Sequence, residues 1–257
     1  WGCKWGILQY MKLTTRSNPK ILKGEKYGYR TIGLFLAPSN LSGHNVCPKA
    51  SAGCIATCLN TAGRGQMNNV QRARLARTAL FFADRDAFMF QLSTELVTEI
   101  KSAKRAGLIP VVRLNGTSDI RWEDIPVPCS TGPQDYLANY YPNIMAMFPE
   151  VQFYDYTKLL DRMEGGPADP MPTNYHLTAS RDETNDANCL SVLKSGGNVA
   201  VVFSTKKGQP LPKTWNGYTV IDGDEHDLRF RDVRGVVVGL RAKGKARKDT
   251  SGFVVRV

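Results

Sequence analysis

A series of short apolar runs, each ending in polar residues, constrains this chain most. "LIPVVRL" stops at "NGTSD" (115–119), and "VQFYDY" (151–156) stops at Thr157 and Lys158. "NYHLTAS" (174–180) stops at "RDETND", and "NVAVVFST" (198–205) at Lys206 and Lys207. "YTVI" (218–221) stops at "DGDEHD", and "GVVVGLRA" (235–242) at "KGKARK". Near-continuous Val/Ile runs suit strands buried on both faces of a mainly parallel sheet. "TIGLFLAP" (31–38), ended by proline, reads as the first of the set. Segments 143–148 and 185–194 have room for helices between strands, while the last two runs are close enough to pair antiparallel. The alternation predicts an α/β fold: a partial or complete (β/α) barrel of mainly parallel strands, with an open doubly wound sheet as the alternative. In both, functional residues gather where the strands finish.

From about Gln66 to Gly107 the period changes to that of a helix. Val70, Ala73, Ala76 and Leu80 fall on one face, with Arg72, Arg74 and Arg77 interleaved. "ADRD" interrupts the pattern and offers Asp84 or Asp86 as a cap. A second helix carries Met89, Leu92, Leu96, Val97 and Ile100 toward a core, and Gly107 ends it.

Between the first strand and these helices lies "HNVCPKASAGCIATCLNTAGRG" (44–65), a cysteine loop directly after the first strand. It places Cys47, Cys54 and Cys58 at C-x6-C-x3-C spacing, with Ala50, Ser51, Ala52 and Gly53 filling the first gap. Small residues let a backbone curl so that thiolates converge. Three readings are open. The thiolates hold three corners of a [4Fe–4S] cluster, leaving the fourth iron to another ligand. Or they bind zinc together with His44. Or they are buried thiols without metal. Cys3, Cys129 and Cys189 stand alone and read as small packed residues.

Six cysteines in 257 residues are too few for a disulfide-stapled scaffold. The 34 basic and 23 acidic residues leave +11, which favours anionic partners such as nucleic acid or nucleotides. No apolar run approaches the ~20 residues that span a bilayer, so no membrane association is expected and a cytoplasmic location is. Residues 1–26 read as an N-terminal extension and 27–257 as a single α/β iron–sulfur domain.

Strand ends supply the candidate cofactor-binding groups: Asn115, Ser118 and Asp119, then Asp155 and Lys158, then Ser180 and Asp182. Lys158 would neutralise a carboxylate or phosphate. Each of these also reads as a turn residue or helix cap. Asp222, Asp224 and Asp227 of "DGDEHD" invite a divalent cation but lack the twelve-residue EF-hand pattern. "RAKGKARK" suits a phosphate backbone or a solvated loop.

Two resemblances follow from these motifs. "CPKASAGCIATCL", "RLNGTSD" and "FYDYTK" resemble an uncharacterised family of bacteriophage proteins, from about Tyr27 onward. That implies a viral protein in the cytoplasm of a bacterial host. More distantly, the layout is similar to the radical S-adenosylmethionine superfamily. "TIGLFLAP" takes the place of the first barrel strand, Cys47, Cys54 and Cys58 match the cluster ligands, and "NGTSD" stands where a Gly-rich motif binds the methionine amino group. The resemblance implies a [4Fe–4S] cluster, S-adenosylmethionine as a second cofactor, an electron-donating partner, and Asp119 as the amino-group ligand. The superfamily's usual spacing is C-x3-C-x2-C, shorter than the spacing here.

Overall fold

A computed structural model describes residues 11–129, 140–163 and 171–257. Residues 1–10, Cys3 among them, lie outside the described residues. The chain begins with edge strand β1 (Thr14–Thr15), a helical turn α1 (Pro19–Leu22) and strand β2 (Tyr29–Leu34). The cysteine loop carries α2 (Ala52–Ala56) and leads into α3 (Asn68–Ala83) and α4 (Arg85–Arg105). Then come β3 (Ile109–Arg113), β4 (Val127–Pro128), β5 (Tyr140–Tyr141), α5 (Ile144–Met147), β6 (Gln152–Thr157) and β7 (Tyr175–Ser180). Helix α6 (Asp186–Lys194) precedes β8 (Val199–Phe203), β9 (Thr214–Trp215), β10 (Tyr218–Asp222) and β11 (Val237–Arg241).

Among the described residues, nine strands form one sheet in the order β1-β2-β3-β6-β7-β8-β11-β10-β9, and β4 pairs with β5. The seven strands from β2 to β10 along that order are mutually parallel. From β2 to β8 each new strand joins on the same side of the last, the winding of an unrolled barrel. The expected barrel does not close. Its two edges are taken by short antiparallel strands, β1 against β2 and β9 against β10, so the sheet stays open. The cysteine loop does follow the first parallel strand. The last two long strands, close enough in sequence to suggest an antiparallel pair, are parallel, with Val220 beside Val237. The chain between them folds a 3-10 turn at Arg229–Arg231 and returns to the starting edge before β11 begins.

The core explains the winding. Ile32 and Leu34 of β2, Val112 of β3 and Phe153 of β6 face Phe81 of α3 and Phe88, Met89, Leu92, Leu96 and Ile100 of α4, with Trp122 wedged among them. Full burial of each such aliphatic or aromatic side chain is worth about 1.5–3 kcal/mol. Val111 and Tyr154, on the opposite face, are covered by Leu228 and Phe230. Asp84 caps α4 by accepting the Ala87 N–H at 2.9 Å, so the break at "ADRD" separates two helices as the pattern predicts.

Two departures from simple amphipathicity matter. Helix α4 buries Glu95 and Glu99 as well as its apolar stripe. Glu95 accepts the backbone N–H groups of Leu13 and Thr14 at 2.9 Å each, which fastens β1 to the sheet edge. Helix α3 buries Arg74, Thr78 and Phe81; of the expected face, Leu80 packs partly buried against the core, while Val70 and Ala73 are half-buried and Ala76 is exposed. Small apolar side chains on that face stay partly or fully exposed, because the chain packs a polar seam of α3 against the cysteine loop.

Candidate functional site

Parallel strands deliver their C-terminal ends to one edge, and the cysteine loop is stitched across it. After β2, the segment Phe35–Ala37 stays buried and Pro38 turns the chain. The Ser39 N–H donates to Cys47 Sγ at 3.4 Å, and that thiol lies 3.7 Å from the Thr117 carbonyl. Thr117 Oγ1 donates to the Leu36 carbonyl at 2.6 Å, and the Asp119 N–H to the Val46 carbonyl at 2.8 Å. The loops after β2 and β3 are thus one unit.

Cys54 sits within α2, whose cap Ser51 accepts the Cys54 N–H at 3.1 Å. Glu183, just past β7, accepts the Gly53 N–H at 2.7 Å and the Ser51 hydroxyl at 2.8 Å. A Cβ on Gly53 would stand 2.3 Å from Ser251 Oγ and 2.7 Å from the Glu183 carboxylate, so a larger residue here would push both side chains out of their present places. Cys58 opens the 3-10 turn Leu59–Thr61, and Thr61 Oγ1 donates back to its carbonyl at 2.9 Å.

All three thiols are partly buried and reduced. Burial pushes Cys47 up to about 12 and Cys54 up to about 11, and it raises Cys58 as well. After burial, Cys47 feels the Ser39 N–H, then Cys58, Asp119 and Cys54, so the three sulfurs and Asp119 share one electrostatic neighbourhood. Lys158 acts in the opposite sense on Cys54, and Arg74 on Cys58.

The strand-end residues predicted from sequence are brought together, mostly by bonds to one another. The Asn115 N–H donates to Asp155 Oδ1 at 2.8 Å. Ser118 donates to Asn115 Oδ1 at 2.8 Å, which also accepts from the Ile120 N–H and the Trp122 indole. Asp119 accepts from Thr157 Oγ1 at 2.8 Å, from the Lys158 N–H at 2.7 Å and from Arg162 at 3.3 Å. Lys158 Nζ donates to the Ser180 carbonyl and hydroxyl at 3.0 and 3.1 Å and pairs with Asp182 at 3.5 Å. Asn115 is therefore a brace for the turn after β3. Asp155 is fully buried, and desolvation raises it to about 7 against the pull of Arg113, the Asn115 N–H and the Tyr175 hydroxyl.

Sequence reasoning missed Arg74. It is 6% exposed, its guanidinium bonds Asn60 Oδ1, and it lies 5.5 Å over the Phe35 ring. Its Nε has no hydrogen-bond partner, and Arg74 forms no ion pair among the described residues. A buried cation without an acidic partner is costly unless an anion is supplied. No pattern in the sequence marks it, because its helical position reads as solvent-facing.

Among the described residues no three His, Cys, Asp or Glu side chains form a group spaced to hold a metal ion. The His44 ring stacks on Phe82 at 4.1 Å, so it is engaged away from a four-ligand zinc arrangement. A cubane cluster is a larger body than one ion and holds its thiolates further apart. The donor chemistry fits such a cluster: three soft sulfurs from one loop, with the unpaired Arg74 cation beside Cys58 to balance thiolate charge. The aspartates of "DGDEHD" are spent on cations: Asp222 and Asp224 on Arg241, Asp224 also on Lys243, and Asp227 on Lys20 and Arg113.

Fold and site together define an α/β protein with a thiol-bearing loop across the C-terminal edge of an open, mainly parallel sheet. The family model for Gene product 88 matches residues 7–257, and the chain belongs to that bacteriophage gene-product family. No curated protein and no solved structure matches it. No described helix is long and apolar enough to cross a membrane.

Proposed function

We propose that the chain is an iron–sulfur protein in which Cys47, Cys54 and Cys58 hold a [4Fe–4S] cluster at the mouth of the parallel sheet. The unpaired, buried Arg74 beside Cys58 carries this reading. Neutral thiols give such a cation nothing to balance, whereas three metal-bound thiolates do. When bound, a cluster of this type supplies one-electron chemistry at an iron that no cysteine occupies. The chain's own residues do the rest. Arg74 offsets negative charge, Glu183 and Ser51 fix the curl of the loop, and the Asp119–Thr157–Lys158 contacts hold the neighbouring strand ends rigid.

The finer reading, a radical S-adenosylmethionine-type enzyme served by an electron donor, rests on the sequence resemblance and on the position of Asp119 beside Cys47. Its carboxylate already accepts three internal donors, so an amino group would have to share it.

Anaerobic reconstitution with iron and sulfide tests the proposal. About four irons and four sulfides per chain are expected, with loss of both in Cys47→Ser, Cys54→Ser or Cys58→Ser and retention in Cys189→Ser. Zinc alone, or iron that survives those substitutions, overturns it. Binding of S-adenosylmethionine to the reconstituted protein, measured by calorimetry, supports the finer reading; no binding with the cluster intact removes it.

A further inference from the structure

The edge that carries the thiols is also where unpaired positive charge collects. Strands β8 and β11 run parallel and finish side by side, the Ala242 N–H donating to the Phe203 carbonyl at 2.9 Å. Lys206 and Lys207 follow β8, while Lys245, Arg247 and Lys248 follow β11 on the 3-10 turn Gly244–Lys248. That turn packs on the cysteine loop: a Cβ on Gly244 would stand 2.9 Å from the Ala62 Cβ. Arg64 in the loop extends the patch. All six cations are exposed, and none forms an ion pair among the described residues.

The acidic groups at this edge are engaged, the exposed ones included: Asp186 pairs with Arg181, Asp222 with Arg241, and Glu225 accepts from the Tyr27 hydroxyl. Asp182 pairs with Lys158, Glu183 binds the cysteine loop, Asp224 holds Lys243, and Asp249 accepts from Ser251 and from the Val254 N–H. The six exposed cations without an acidic partner leave this edge with an excess of positive charge. The cysteine loop at this edge exposes Ile55 and Leu59, and Phe253 lies partly exposed, 5.5 Å from Lys158 Nζ. Exposed cations that share one edge with exposed apolar side chains and an aromatic ring match the requirements of a single strand of nucleic acid, whose phosphates pair with the cations while its bases lie on the apolar atoms. A lipid surface fits less well, because these apolar side chains are not presented by an amphipathic helix.

We propose that this edge is a docking surface for single-stranded nucleic acid, lying over the cysteine loop. It stands on charge and geometry alone and holds whether or not the thiols carry a cluster.

Fluorescence anisotropy of the full chain with a labelled random-sequence single strand tests it. Affinity falls with salt, with a log–log slope of about −0.7 for each phosphate contacted. The triple variant Lys245→Ala/Arg247→Ala/Lys248→Ala weakens binding at least about tenfold and flattens the slope by about 2. Lys206→Ala/Lys207→Ala, on a separate loop, weakens it independently of any folding defect in the triple variant. Lys101→Ala/Lys104→Ala/Arg105→Ala, at the end of α4 beside the opposite edge of the sheet, leaves it unchanged. Equal losses from all three variants, no measurable binding at low salt, tighter binding of duplex than of single strand, or capture by phosphatidylserine vesicles but not by the oligonucleotide would each overturn the proposal.

Discussion

Glu183 accepts the backbone N–H of Gly53 at 2.7 Å, and this contact ties the cysteine loop, which leaves β2, to the end of β7, three strands away across the sheet. Its second oxygen holds the Ser51 hydroxyl that caps α2. The curl that brings three thiols to one edge is thus fixed from outside the loop.

Replacing that carboxylate releases the loop. Glu183→Ala leaves the Gly53 N–H without its partner and costs about 1–3 kcal/mol. The loosened loop admits solvent, so maleimide labels Cys54 faster than in the wild type. Unchanged labelling together with unchanged denaturant midpoint would show that Glu183 is idle.

Gly65 makes a second requirement on the loop. A Cβ there would meet the Asn60 carbonyl oxygen at 2.8 Å and that of Leu59 at 3.0 Å, both backbone atoms unable to swing aside. Gly65→Ala therefore destabilises by about 1–3 kcal/mol, read from urea unfolding, with the slope of the transition unchanged.

Arg74→Met separates charge from packing. Arg74 lowers Cys58 against burial, so its loss lifts that thiol further. In a Cys47→Ser/Cys54→Ser background, alkylation of Cys58 becomes slower at pH 8 and its pH midpoint moves up. Stability of the metal-free protein stays within about 1 kcal/mol of wild type or rises, since an uncompensated buried charge has been removed. Reconstituted iron content falls in the same substitution with all three thiols present.

Acid titration distinguishes the buried carboxyls. Burial raises Asp155 to about 7 and Asp232 to about 6, and raises Asp119 too. A carboxyl raised in the folded state favours folding most when protonated. Its contribution is full below the unfolded value near 4 and is lost as pH rises toward 7. Asp227 is shifted the other way: burial alone would raise it, but Arg113 and Lys20 overcome that penalty. Its contribution is present above about pH 4 and disappears in stronger acid. Unfolding free energy therefore declines between about pH 4 and 7 through these raised groups. In Asp155→Asn that decline shrinks by on the order of 4 kcal/mol. An unaltered pH profile in Asp155→Asn would refute the assignment.

Much of the scaffold is legible in the sequence because it is local. The apolar runs at "VQFYDY", "NYHLTAS" and "NVAVVFST" become β6, β7 and β8, and the intervals with room for helices at 143–148 and 185–194 become α5 and α6. Burial on both faces writes a continuous Val/Ile run, and a helix start writes its cap, whatever the rest of the chain does. Asn115, Ser118, Asp119, Asp155, Lys158 and Ser180 were also recoverable as a group, since parallel strands end at a common edge. That they bond chiefly to one another was not, because a polar residue at a strand end looks the same whether it faces a ligand or a neighbouring turn.

By itself the sequence determined the mainly parallel α/β class, the two long helices with their break at Asp84, and the thiol loop after the first parallel strand. Only the tertiary structure decided that the sheet stays open, that β10 and β11 run parallel, that Arg74 is buried beside Cys58, and that Glu183 holds the loop. The physical reason is range. Periodicity records how one element sits against its surroundings, residue by residue. Edge strands that block closure, the return of a chain between strands, and the pairing of a cation with a distant thiol depend on how whole elements pack, and no local pattern encodes that.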